Sequence, residues 1–201
     1  LTVIDRGNLG GPPNPQSAAV DGYRHLSEVL AWNRAVHDAV LGELRAARLP
    51  ILLGGDHSLA VGSIAAVARH CRETGRKLRV LWLDAHADFN TSALTPSGNL
   101  HGMPVACLCG FGPGELIGIG GTVPAIDPKC IRQIGIRSVD PGEKRFVHEQ
   151  RVHDGEDDFW AEMFVGVEIG EGGGTAFHLR EAAPVVHVGH GHVEERAGDG
   201  A

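Results

Sequence analysis

Residues 80–90 read VLWLDAHADFN, an apolar run that stops at Asp84 and then delivers Asp84, His86 and Asp88 at two-residue spacing. Four apolar residues suit a buried strand, but ionised groups are costly to bury unless something neutralises them. In an extended chain rising about 3.3 Å per residue, Asp84 and Asp88 would stand roughly 13 Å apart, too far to serve one centre. The strand must therefore end near Asp84 and the chain must curl. The same grammar occurs earlier, where PILLGGDHS (50–58) runs from apolar residues through two glycines into Asp56 and His57. In open α/β sheets, sites form where loops leave the carboxyl ends of the strands. Mixed Asp and His ligands suit a divalent ion such as Mn²⁺ better than a thiolate zinc site. An Asp after a strand is also an ordinary turn former or helix N-cap, and a lone His is commonly a satisfied core group. The repetition of both residues at two strand ends is what favours a metal.

The rest of the chain fits that sheet. LTVID (1–5) reads as a strand, followed by a Gly/Pro loop. Residues 18–47 carry Val20, Tyr23, Leu26, Leu30, Val36, Val40 and Leu44 at helical spacing. PILLGG is a buried strand, SLAVGSIAAVARHC a helix, KLRVLWLD a strand, VACLCG a helical or buried segment and CIRQIGIR a further strand. Alternation of this kind predicts a mainly parallel sheet with helices on both faces. After Gln150 no helix-length period is sustained, and glycine clusters and scattered His and Glu take over. The reading is an α/β domain over 1–150 and a divergent, poorly ordered tail over 151–201, as a reading-frame shift would leave.

Composition narrows the partners. A formal charge of −7 disfavours binding to nucleic-acid phosphates. No apolar run is long enough to cross a bilayer, and no secretory signal opens the chain, which begins at Leu1. Cys71, Cys107, Cys109 and Cys130 lack a paired CxxC pattern and suit small core roles in a reduced, cytoplasmic setting.

Four segments together are specific. GGDHS (54–58), DAHADFN (84–90), SGNLHGMP (97–104) and IGIRSVDPGE (135–143) resemble, in order, the motifs of the arginase/agmatinase (ureohydrolase) superfamily, and bacterial arginases in particular. The resemblance runs from about residue 5 to residue 150. It implies a three-layer αβα fold, incomplete here, holding two Mn²⁺ ions that activate water to hydrolyse L-arginine to L-ornithine and urea. By the same resemblance His57, Asp84 and Asp88 match ligands of one ion, and His86 and Asp84 those of the other. His101 matches a proton shuttle. Ser97 and Asn99, with Asn90, match residues that contact the substrate α-carboxylate, and Asp140 matches one near the α-amino group. Ser97-Gly98-Asn99 is also a plain turn sequence, and Asp140 before Pro141 an ordinary turn residue. The family implies a homo-oligomer, a trimer or hexamer.

One family motif does not occur. S-F-D-x-D-x-x-D-P, whose aspartates complete the metal cluster, is absent after Asp140. Asp154, Glu156 and Asp158, and the histidines of HVGHGH (187–192), read as an acidic loop and an adventitious metal binder rather than replacements. The expectation is a chain incomplete at both ends and weakly active or inactive. Two other readings stay open: an agmatinase-like guanidine hydrolase, and a non-catalytic arginase paralogue or binding subunit.

Overall fold

A computed structural model describes residues 2–16, 18–150 and 152. The acidic residues Asp154, Glu156 and Asp158 and the histidines of HVGHGH lie outside the described residues.

The regular elements are α1 (Leu26–Arg45), α2 (Ala60–Glu73), β1 (Val80–Leu83), α3 (Pro104–Leu108), α4 (Gly114–Ile117), β2 (Ile131–Ile134) and α5 (Pro141–Glu149). β1 and β2 run parallel, with Val80 opposite Ile131 and Trp82 opposite Gln133. Since alternate strand residues face opposite ways, one face of this pair carries Val80, Trp82, Ile131 and Gln133, all buried. Val80, Trp82 and Ile131 sit in the main core with Ile64 of α2, Val105 and Leu108 of α3 and Val147 of α5. The other face, with Leu83 and Ile134, is open among the described residues.

α1 buries Leu30, Asn33, Val36, His37, Val40, Leu41 and Leu44, the stripe that a 3.6-residue period produces. It packs on α2, whose run of small residues (Ala60, Gly62, Ala65, Ala66, Ala68) lets the helix bury on nearly every side. At the crossing, the Asn33 side-chain oxygen accepts the Gly62 N–H at 2.6 Å and its amide donates to the Val29 carbonyl at 2.9 Å. A Cβ at Gly62 would collide with the Asn33 backbone carbonyl, so only glycine permits this approach. Cys71, Cys107 and Cys109 are buried free thiols, while Cys130 is partly exposed. Burial pushes the Cys107 thiol up to about 12.

Three readings of the sequence need correction. The segment 1–5 forms no strand within its described part: Val3 is 89% exposed, and no neighbouring strand offers a ladder. This leader is held instead by the Trp32 indole N–H, which donates to the Pro12 carbonyl at 2.9 Å, and by an Arg6–Glu43 ion pair at 3.1 Å. PILLGG is not a buried strand either. Ile51 and Leu53 are 66% and 77% exposed, and Leu52 alone turns in against the α1/α2 core. Finally, α1 starts at Leu26, not near residue 18. Asp21 and Gly22, both at positive φ, close a tight turn that pairs Val20 with Tyr23.

Candidate metal centre

Two loops build the site. The first leaves 51–53 through Gly54 and Gly55, both at positive φ, conformations that glycine adopts without strain. Asp56 then caps a short 3-10 turn, its carboxylate accepting the Ser58 N–H at 2.9 Å. That cap orients His57, whose ring lies 4.6 Å from the Trp82 ring across the end of β1. The second loop leaves β1 at Asp84. Its Oδ1 accepts the His86 N–H at 2.8 Å, an Asx turn that ends the strand and starts the curl. The curl completes at Asp88, a non-glycine residue at φ 49°.

The result is a convergence of charged groups. The Nδ1 of His57 stands 2.5 Å from Asp88 Oδ2 and 3.2 Å from Asp84 Oδ2. One ligand atom from each of His57, Asp84 and Asp88 lies within 4.8 Å of the others. Asp88 is 6% exposed, and its Oδ2 is engaged by the His57 ring without a well-aligned hydrogen bond. Burial works against a charged His57 ring, but the carboxylates of Asp88, then Asp84 and Asp56, outweigh it and hold its pKa above the ordinary value. Two carboxylates and an imidazole converging from two loops are the donor set of a hard-to-borderline divalent cation. The residues fit such an ion.

Of the four metal ligands expected from the sequence, three meet in this cluster. His86 stands on its margin, half exposed, with Nδ1 3.2 Å from the other oxygen of Asp84. Asp84 thus lies between the two histidines, one oxygen toward each. His86 also pairs with Ser138 in an isolated parallel bridge that ties the loop after β1 to the loop after β2.

Beside the cluster opens a cleft whose lining includes His86, Asp88, Asn90, Ser97, Asn99, His101, Asp140 and Glu143. Every remaining residue expected at the site therefore faces one space. Asn90 donates its amide to Asp140 Oδ2 at 3.2 Å. The turn reading of these positions holds as well. Ser97 Oγ accepts the Asn99 N–H at 3.2 Å, and Asp140 is the N-cap of α5.

Glu143 is a buried residue of the site to which the metal and substrate motifs assign no role. It is 3% exposed, accepts the Phe89 N–H at 2.8 Å and the Asp140 N–H at 3.2 Å, and lines the cleft. Its pKa is raised, first by burial, against the lowering effect of those two amides. The signal was present: Asp140-Pro141-Gly142-Glu143 has the spacing of a capping box, with Pro at the first helical position. Gln133, whose side-chain amide donates to the Ala87 carbonyl at 2.5 Å, had no comparable signal.

Known proteins share this arrangement of elements. The sequence profile described as "Arginase family" matches residues 1–160. Arginase of Bacillus caldovelox is 45% identical over 129 residues, 64% of this chain and 42% of that protein. Arginase of Brevibacillus brevis is 39% identical over 147 residues, 73% of this chain and 48% of the relative. Among solved structures, arginase from Bacillus subtilis superposes with a TM-score of 0.67 at 37% identity, covering 74% of this chain and 48% of its own. Entamoeba histolytica arginase in complex with L-ornithine gives 0.64 at 39% identity, covering 71% and 48%. The chain spans about half the length of the curated relatives it matches. These neighbours share the αβα arrangement, of which the described residues form an incomplete part.

Proposed function

The chain belongs to the arginase family, and from that membership we propose that it is an arginase-type hydrolase that converts L-arginine to L-ornithine and urea with manganese ions as cofactor. The observation that carries this reading is the meeting of His57, Asp84 and Asp88 from two separate loops, each offering a ligand atom within 4.8 Å of the others. His57, Asp84 and Asp88 would hold one ion, and Asp84 with His86 would contribute to a second. Divalent ions, when bound, supply Lewis-acid polarisation and a water of lowered pKa.

The chain's own groups divide the remaining work. Asn90, Ser97 and Asn99 offer amide and hydroxyl donors in the cleft, suited to an α-carboxylate, and Asp140 offers an acceptor for an α-amino group. His101, on the same wall, would move protons to the leaving amine, a task that suits a residue whose ordinary pKa is near neutrality. The ornithine complex of the E. histolytica relative supports an amino-acid product. A cytoplasmic setting and a trimeric or hexameric assembly belong to the same reading, as does the division into a domain over 1–150 and a tail.

The sequence contains no S-F-D-x-D-x-x-D-P motif, and for that reason the 201-residue chain by itself should be weakly active or inactive. A non-catalytic paralogue is the second reading, favoured by that same lack. The test is urea release by the purified chain with Mn²⁺, using L-arginine and agmatine in parallel. The expected result is slow or no release, confined to L-arginine and abolished by EDTA. A rate comparable to a complete bacterial arginase would remove the inactivity claim, and preference for agmatine would remove the arginase assignment.

A further inference from the structure

The loop that carries Asp88 is held in an unfavourable backbone conformation. Asp88 sits at φ 49°, where a side chain crowds the backbone and non-glycine residues are uncommon. Within DAHADFN the Asx turn of Asp84 starts the curl, two residues short of the strained position. The restraint comes from outside, at consecutive peptide groups. The Ala87 carbonyl accepts from Gln133, and the Asp88 carbonyl accepts the Val105 N–H at 3.0 Å. The Phe89 N–H, which follows directly, donates to Glu143 Oε1 at 2.8 Å, and the Asn90 N–H donates to the Gly102 carbonyl at 3.1 Å.

Glu143 is the unusual member of this set. It is the charged one, yet it is 3% exposed. A capping-box glutamate needs only one oxygen for its cap. Here Oε2 does that work on Asp140, leaving Oε1 for an amide 54 residues away in sequence. A buried carboxylate is a poor choice for filling space. It is a good choice where two backbone N–H groups from different loops must be fixed at once, because each receives a charge-assisted bond.

We propose that Glu143 is a positioning residue: by fixing the Phe89 amide it locks Asp88 in the left-handed conformation that aims its carboxylate at His57 and Asp84. This rests on the reading that the cluster holds a divalent ion. Outer-shell partners of this kind typically change metal affinity about ten- to hundredfold.

The test uses the full chain, Mn²⁺ alone as ligand, and two variants. Glu143→Ala removes both acceptors, and Glu143→Gln retains the volume and one acceptor, so it decides the matter where the alanine variant fails to fold. Mn²⁺ affinity by titration calorimetry is read beside amide exchange of the peptide containing Phe89 in the metal-free chain, with circular dichroism as the folding control. The expected result is wild-type secondary structure, faster exchange at Phe89, and Mn²⁺ affinity at least tenfold weaker for Glu143→Ala, with Glu143→Gln in between. Folded variants that bind Mn²⁺ as tightly as wild type would overturn the positioning role and leave the metal reading intact. A wild-type chain that binds no Mn²⁺ would overturn the metal reading and this role with it, even where exchange at Phe89 still reports the clamp.

Discussion

Residues 51–53 and the strand Val80–Leu83 are both short apolar runs that lead into an aspartate and a histidine, and they fold differently. Val80–Leu83 lies in a parallel ladder with Ile131–Ile134 and buries Val80 and Trp82. The earlier run joins none of the named strands, and it leaves Ile51 and Leu53 exposed. His57 nevertheless reaches Asp84 and Asp88. Being a strand depends on a neighbour far away in sequence, whereas delivering a ligand depends on the local turn. Gly54, Gly55 and the Asp56 cap supply that turn whether or not a ladder forms before it.

The largest effect is expected at Trp82. It is 3% exposed, packs in the main core and stacks beside His57. Trp82→Ala should cost about 3–5 kcal/mol of stability in chemical denaturation, the range for a large aromatic lost from a core. A cost near zero would mean that the ladder, like 51–53, is dispensable to this chain.

Gly62→Ala comes next. Its methyl group would meet the Asn33 carbonyl where α1 crosses α2, so the variant should lose about 1–3 kcal/mol, as overpacked cores do. An unchanged denaturation midpoint would show that α1 can move away from α2 freely. The smallest effect belongs to the exposed run. With 77% of Leu53 open, Leu53→Lys should change stability by no more than about 0.5 kcal/mol, the usual range for surface substitutions. A loss of several times that amount would place Leu53 in a contact that its exposure denies.

How far the sequence discloses this molecule follows the same division. Helix α2 and strands β1 and β2 are legible because period and burial agree within each segment. The convergence of His57, Asp84 and Asp88 is legible because Asp84 and Asp88 flank His86 in one short stretch and Asp56-His57 repeats the pattern. What escapes is whatever another segment decides. LTVID and PILLGG have strand composition but no partner to complete a ladder among the described residues. Composition records only the willingness to pair. The start of α1 escapes because Asp21 and Gly22 divert Val20 and Tyr23 from an apparently continuous helical stripe. Glu143 and Gln133 escape for a related reason. Their side chains bind the backbone of a loop about fifty residues away, a distance at which spacing rules are silent.

Whether His57, Asp84 and Asp88 form one cation site is decided by Mn²⁺ titration of the full chain against Asp88→Asn. That substitution keeps the side-chain shape while removing the charge on the most buried ligand. Wild type should bind saturably, and the variant should lose more than the roughly ten- to hundredfold typical of an outer-shell partner. Superimposable titrations, or no saturable binding by either protein, would contradict such a site.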